Sequence, residues 1–282
     1  MPETLTVLSI QSDVVRGHVG NGAARFALQR LGLDVWAVPT VVLSNHPGHR
    51  KFRGETVPAA RIGALIDGLD EHGWLKRCDG VISGYLGAAD QAPVIADAVR
   101  RVKAQNPNAL YLCDPVFGDD GGAYARAGVA EAIARDLLPL ADIVTPNRFE
   151  LSSLTSRKIE NAEDAVAAGR VLGNAEVVAT SVPFPGDRIG TVAMSPGGAW
   201  ATAAARLENV PSGSGDLFAA LYLAARLTSM QPVDALVRAS SSVDCILRAS
   251  AAELADELAL VARQADLAEP GQRLAPIVIS TC

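Results

Sequence analysis

Short apolar runs alternate with longer helix-like stretches along the chain, and this rhythm limits the available folds more than any other feature. Leu5–Ile10 reads as a buried strand. Asn21 reads as the cap of a helix running through Phe26 and Leu31 until Gly32 stops it. Val35–Leu43, Gly80–Tyr85 and Ala109–Cys113 are further strand-like runs, with a helix over Pro93–Gln105 between the last two. A helix over 128–138 leads to a strand at Asp142–Thr145. Asn147 opens another helix, and Asn161 with Asp164 open one more before the strand Glu176–Thr180. Two β-like runs, 189–194 and 199–206, precede a buried helix over 217–228 and a long amphipathic helix over roughly 241–264. Ile277–Ile279 is a last β-like run. Strands separated by helices predict a mostly parallel α/β sheet with helices on both faces, here as one domain spanning 1–282. Ligands of such sheets bind at the carboxyl ends of the strands, where most polar candidates of this chain fall.

Composition narrows the function classes. The chain has 282 residues, 49% of them apolar, which is ample for a large core. Its net charge of -6 argues against a protein that coats nucleic acid or anionic membrane. Cysteines at 78, 113, 245 and 282 form no C-x-x-C pair and read as reduced thiols, the expectation for a cytoplasmic protein. No basic segment precedes Leu5, so the start does not read as a signal peptide, and the apolar run Leu217–Ala225 is too short to span a bilayer.

Gly213-Ser214-Gly215-Asp216 is the first chemical candidate. Two glycines bracket a serine, an aspartate follows, and a strongly apolar helix begins. Free backbone N–H groups and the helix dipole at such a start form a cradle for charge developing on a transferring phosphoryl group. Asp216 stands beside the cradle, where a carboxylate could take a proton from an attacking hydroxyl. An ordinary tight turn explains the same residues. No G-x-x-x-x-G-K-[ST] string exists, which excludes a P-loop, and no G-x-G-x-x-G follows the first strand.

Asn147-Arg-Phe-Glu150 has capping-box spacing, and it could equally bring Glu150 to a hydrated magnesium ion and Asn147 to phosphates. Asp114, at the end of another strand, is either the second carboxylate or a turn former before Pro115. Ser12 falls after the first strand, at its expected carboxyl end, with His18 read as structural. His46, in Ser44-Asn-His46, is a ligand contact or a loop histidine.

Taken in order, Ile10-Gln-Ser-x-Val-Val-x-Gly-His-x-Gly-Asn21, Leu43-Ser-Asn-His46, Ser83-Gly-Tyr-Leu-Gly87, Cys113-Asp-Pro-Val-x-Gly118, Ala141-Asp-Ile-Val-Thr-Pro-Asn-x-x-Glu150, Thr180-Ser181 and Gly213-Ser-Gly-Asp-Leu-Phe-Ala219 resemble the pyridoxal kinases of the ribokinase-like superfamily. The strings run from residue 8 to about 225. The resemblance implies a three-layer α/β/α sandwich, a homodimer, and transfer of the γ-phosphate of ATP to the 5′-hydroxymethyl group of pyridoxal. It implies Asp216 as base, and the amides of Gly213, Ser214 and Gly215 as anion hole. Asp114 and Glu150 would serve Mg²⁺, while Thr145, Asn147, Thr180 and Ser181 meet the nucleotide's phosphates. Ser12, His46 and Tyr85 would line the vitamin pocket, with pyridoxine and pyridoxamine as further acceptors. Gly118–Ala127, with Asp119 and Tyr124, would be the lid over ATP. ATP is the implied co-substrate, with room for K⁺ as a second cation.

Three positions depart from the family's pattern. Pro47 follows Ser-Asn-His where a polar residue is usual, Ser212 replaces an apolar residue before the Gly-x-Gly-Asp motif, and the short lid lacks a reactive cysteine found in some relatives. The alternatives are a related kinase for a hydroxymethylpyrimidine or a sugar, and a vitamin-binding protein that has lost catalysis. Asp114, Glu150 and Asp216 together argue against the last.

Overall fold

In the computed structural model, residues 4–280 are described. The chain runs β1 (Thr6–Arg16), α1 (Asn21–Arg30), β2 (Asp34–Asn45), β3 (Gly54–Thr56), α2 (Ala59–Glu71), β4 (Gly80–Ser83), α3 (Gln91–Gln105) and β5 (Leu110–Cys113). A small hairpin follows, β6 (Gly118–Asp119) with β7 (Gly122–Ala123), then the short α4 (Val129–Ala132) and β8 (Ile143–Val144). α5 (Arg148–Thr155), α6 (Ala162–Leu172), β9 (Glu176–Phe184), β10 (Arg188–Ser195) and β11 (Gly198–Ala205) come next. α7 (Ser214–Leu227), α8 (Pro232–Ala252), α9 (Ala265–Ala268) and β12 (Ile277–Val278) complete it.

The main sheet has the order β12-β11-β10-β9-β8-β5-β4-β1-β2-β3. From β2 to β9 all neighbours are parallel; β10, β11 and β12 add antiparallel edges, as does β3. The expected mostly parallel sheet with helices on both faces is present. Its strands are apolar at successive positions because both faces are covered. Val7, Ile82, Leu112, Ile143 and Val178 point into a core with α1, α7 and α8. Their neighbours Leu8, Val81, Tyr111 and Val144 point the other way, towards α2 and α3. Val177 and Ala179 share that second side with α5 and α6.

Several boundaries differ from the sequence reading, each for a physical reason. β1 does not end at Ile10. It pairs with β2 as far as Arg16↔Asn45, past the last β1–β4 pair at Ile10↔Ser83, so the two strands project beyond the sheet's carboxyl edge. Ser12 therefore lies in an irregularity of the β1–β2 ladder between Gln11 and Asp13, not at a strand end. Asn21 is not a cap. Gly20 precedes the helix with no side-chain cap, and the Asn21 amide instead bonds Gln11 O, Val38 O and Ser9 Oγ. The helix expected over 128–138 is α4 followed by a π turn at Ile133–Leu137, with Pro139 in the turn after it. The helix expected over 241–264 starts earlier, at Pro232, and ends at Ala252; only non-helical turns follow until α9. α2 is absent from the sequence reading, although Ile62, Leu65, Ile66 and Leu69 recur at helical spacing; of these Ile62 and Ile66 are buried and Leu65 is exposed. By contrast, Asn147 and Asn161 cap their helices as read, accepting from the amides of Glu150 and Asp164.

Cys78, Cys113 and Cys245 are free and buried, and burial pushes the thiols of Cys78 and Cys113 up to about 12. They behave as small apolar side chains, in line with reduced cysteines. Cys282 lies outside the described residues. Among those residues no helix is long and apolar enough to cross a membrane.

One buried polar contact joins α7 to β9. Glu176 accepts from Tyr222 Oη at 2.6 Å and from Arg226 Nε at 3.1 Å, and Arg226 also reaches the carbonyl of Met230. Arg226→Ala would leave the Glu176 charge short of a partner. Urea unfolding at pH 7 should show a loss of about 2–3 kcal/mol, below the full cost of a broken buried pair because Arg226 is partly solvated.

Candidate active site

The carboxyl ends of the parallel strands bring the candidates into one row. Asp114 follows β5, and its amide donates to Ser83 O at the end of β4. Thr145 follows β8 and donates its hydroxyl to Asp114 Oδ1 at 3.0 Å. Asn147 forms an isolated parallel bridge with Thr180 of β9, whose amide bonds Pro146 O. Ser181 next to it has a positive φ of 60°, a strained backbone for a serine.

The Asn147 capping box is present in full: Asn147 Oδ1 accepts from Glu150 N, and Glu150 Oε2 accepts from Asn147 N at 2.9 Å. Glu150 does more than cap. Its Oε1 also accepts from Phe117 N at 3.0 Å and Gly118 N at 3.4 Å, so three amide donors meet on one buried carboxylate. One hydrogen of the Asn147 Nδ2 group goes to Gly118 O at 2.7 Å. The second hydrogen of Nδ2 has no protein partner among the described residues and could meet a phosphate without releasing Gly118.

Asp114 and Glu150 are 6% and 2% exposed. Burial first, then the charges of Glu150 and Asp216, push the Asp114 carboxyl well above the usual range. Burial likewise raises Glu150, opposed by its amide donors. Two buried like charges this close favour a cation beside them. Hard oxygen donors with both Glu150 oxygens already accepting from amides suit a hydrated Mg²⁺ reached through water, with Asp114 the more open donor. No cluster of three acidic, histidine or cysteine side chains among the described residues could chelate an ion alone.

Gly213, Ser214, Gly215 and Asp216 form the start of α7. Gly213 precedes the helix at φ 102°, where a Cβ would strike His18 O, so both backbone angle and space call for glycine. The first turn leaves its amides unpaired within the helix. Asp216 is partly accessible, and burial of its carboxyl raises the pKa to about 6 while the Gly20 amide pulls the other way. Gly20 has φ 51°, and a Cβ there would strike Ser12. Ser12, Gly20 and Asp216 are thus neighbours through a turn that only glycine fits. The role of Gly20 was missed in the sequence, although a glycine between a strand and a helix was the available signal.

Over the carboxylates lies the Gly118–Ala127 segment, closed by the β6–β7 hairpin. Arg148 holds it through Asp120 at 2.6 Å, and Phe149 packs where Gly118 has no side chain. The Tyr124 hydroxyl is raised by burial and by the charges of Glu150, Asp114, Asp216 and Asp119, although half of the residue is exposed.

His46 and Ser212 line a separate mouth, a cavity of about 260 Å³ shared with His49, Pro211 and Glu257. His46 Nδ1 accepts from Gly48 N, and burial lowers its pKa. Tyr85 is half-buried after β4, its carbonyl accepting from Thr40 Oγ1.

The Asp216 shift has a stability consequence. A carboxyl with a higher pKa when folded gains a proton on folding. It therefore weakens the fold as pH rises from its ordinary value of 3.8 to about 6 and above. Asp216→Asn should stabilise the free protein by roughly 1–2 kcal/mol at pH 7.5 after allowance for partial exposure, and by almost nothing below pH 4. Urea unfolding at both pH values measures the difference.

With this geometry in hand, a family profile described as phosphomethylpyrimidine kinase matches residues 75–257. The pyridoxal kinase PdxY of Corynebacterium diphtheriae is 40% identical over 273 residues, covering 94% of this chain and 96% of that protein. The pyridoxal kinase PdxY of Rubrobacter xylanophilus is 40% identical, covering 95% of this chain and 96% of that protein. A pyridoxal kinase from Leishmania donovani, solved with ADP and pyridoxamine, superposes with a TM-score of 0.92 at 28% identity. It covers 98% of this chain and 99% of that one. Ordered motifs, a ribokinase-like three-layer sheet and identity over nearly the full length agree: the chain belongs to the pyridoxal kinase family.

Proposed function

We propose that this protein is an ATP-dependent kinase that phosphorylates the 5′-hydroxymethyl group of pyridoxal, with pyridoxine and pyridoxamine as further acceptors. The observation that carries the reading is the place of Asp216. It lies in the first turn of α7, its charge acts on Asp114, and the amide of Gly20, which packs on Ser12, bonds its carboxyl.

In this reading Asp216 accepts the hydroxymethyl proton. The alcohol oxygen bonds to the γ-phosphorus, the bond from that phosphorus to the β–γ bridging oxygen breaks, and ADP leaves with the electron pair. The Gly213–Gly215 amides at the α7 start receive the charge that develops. Thr145, Asn147, Thr180 and Ser181 orient the nucleotide's phosphates, and Asn147 also anchors the lid through Gly118. Asp114 and, through water, Glu150 would hold Mg²⁺, which supplies charge neutralisation on the phosphates when bound. K⁺ is a further candidate cofactor. Ser12, His46 and Tyr85 line the acceptor pocket, with Asp119 and Tyr124 on the lid that excludes water. One catalytic unit over 1–282, a homodimer and a cytoplasmic setting belong to the same proposal.

The family profile's own description favours a second reading, a kinase for hydroxymethylpyrimidine. Steady-state assays with ATP, Mg²⁺, the three vitamers and hydroxymethylpyrimidine separate the two. Turnover of the pyrimidine without turnover of pyridoxal overturns the first.

Asp216→Asn should retain ATP binding by calorimetry and lose roughly 10²–10⁴-fold in kcat. Near-normal turnover removes Asp216 as base. Since the base acts when ionised, kcat/KM for pyridoxal should fall as pH drops through about 6, and the Asn variant should lack that limb.

A further inference from the structure

The cavity that His46 and Ser212 line takes one wall from the segment after α8, through Ala255, Asp256 and Glu257. Glu257 Oε1 lies 3.2 Å from His49 Nε2 and 3.5 Å from Arg16 Nη1, and its Oε2 accepts from His18 N at 3.2 Å. A Cβ on Gly17 would meet this carboxyl at 2.7 Å, so the bare glycine is what admits it to the His18 amide. Asp256 adds a second hold on Arg16, at 2.9 Å. A single carboxylate thus ties the end of β1 to the loop after β2, the two arms that project past the sheet.

The base of this tie is firm. Leu258 and Leu260, 2% and 0% exposed, anchor the segment in the core beside α1 and α7. Ala259 N donates to Ser250 Oγ and Ala255 N to Ser250 O, both at 2.9 Å. The Glu257 side chain is only 16% exposed against 63% for Asp256, so solvent screens its ion pairs less. Its charge also reaches His18 and His46, opposing the burial that lowers both. Its polar partners Arg16, His18 and His49 all belong to the arms around the His46 side, away from the Asp114–Thr145–Thr180 row.

We infer that Glu257 is a positioning residue that clamps both arms of the β1–β2 projection around the acceptor cavity, and so governs seating of the acceptor rather than of the nucleotide. The inference rests on the kinase reading above.

Steady-state kinetics of Glu257→Ala and Glu257→Gln test it. In the Ala variant the KM for pyridoxal should rise about tenfold while the KM for ATP stays within about twofold. The Gln variant should lie between, because its side-chain oxygen can still accept from His18 N. Parallel rises in both KM values, or no change in either, overturn the clamp. Should Glu257→Ala fail to fold, His49→Gln and Arg16→Ala remove partners singly and are held to the same split. Hydrogen exchange on the ligand-free protein gives a readout independent of activity. Amides of 44–53 should exchange faster in Glu257→Ala, and unchanged rates overturn the clamp. A wild-type protein that turns over no pyridoxal defeats the kinase reading, while the exchange arm still decides the clamp.

Discussion

Burial of Asp114, Glu150 and Asp216 at the carboxyl edge of the sheet, with the charges of the latter two acting on Asp114, is the constraint around which the site is arranged. Carboxylates buried this close would each rather be neutral. The fold sets against this the amide donors on Glu150, the Thr145 hydroxyl on Asp114 and the Gly20 amide facing Asp216. The large core provides the surplus stability that lets such a pairing persist in the free protein. The same unfavourable charge is what a cation and a proton-bearing substrate would relieve.

Backbone geometry sets the second constraint. Gly20 and Gly213 both hold positive φ, and both would clash if given a Cβ, one with Ser12 and the other with His18. The turn over 17–20 is therefore wedged between the start of α7 and the first strand. This close approach brings a residue of the expected acceptor pocket beside the expected base without any loop having to move. It also explains why Asn21 sits inside α1: its amide is needed to lock Ser9, Gln11 and Val38 beneath the turn.

Around the start of α5, order comes from a chain of small polar contacts. Asn147 and Glu150 cap α5, and the same two residues hold the base of the Gly118 segment. Arg148 and Phe149, between them, pin the hairpin tip and its floor. One helix turn thus serves as cap, carboxylate support and anchor of the Gly118 segment. For that reason its capping-box reading and its functional reading were never exclusive.

The sequence by itself determined the parallel α/β plan and the row of polar residues after β5, β8 and β9, because strand burial and helix capping are local and periodic. The Asn147 and Asn161 caps and the Gly213–Asp216 turn were legible for the same reason. Motifs in order also gave the family. Only the tertiary structure decided where β1 stops, since its extension depends on pairing with β2. The ends of α8 were hidden because Leu258 and Leu260 keep an apolar pattern where the backbone is no longer helical. Likewise, no local signal joins Glu257 to Arg16, His18 and His49. Contacts between segments this far apart in the chain are set by how the layers close, and spacing along the chain carries no trace of them.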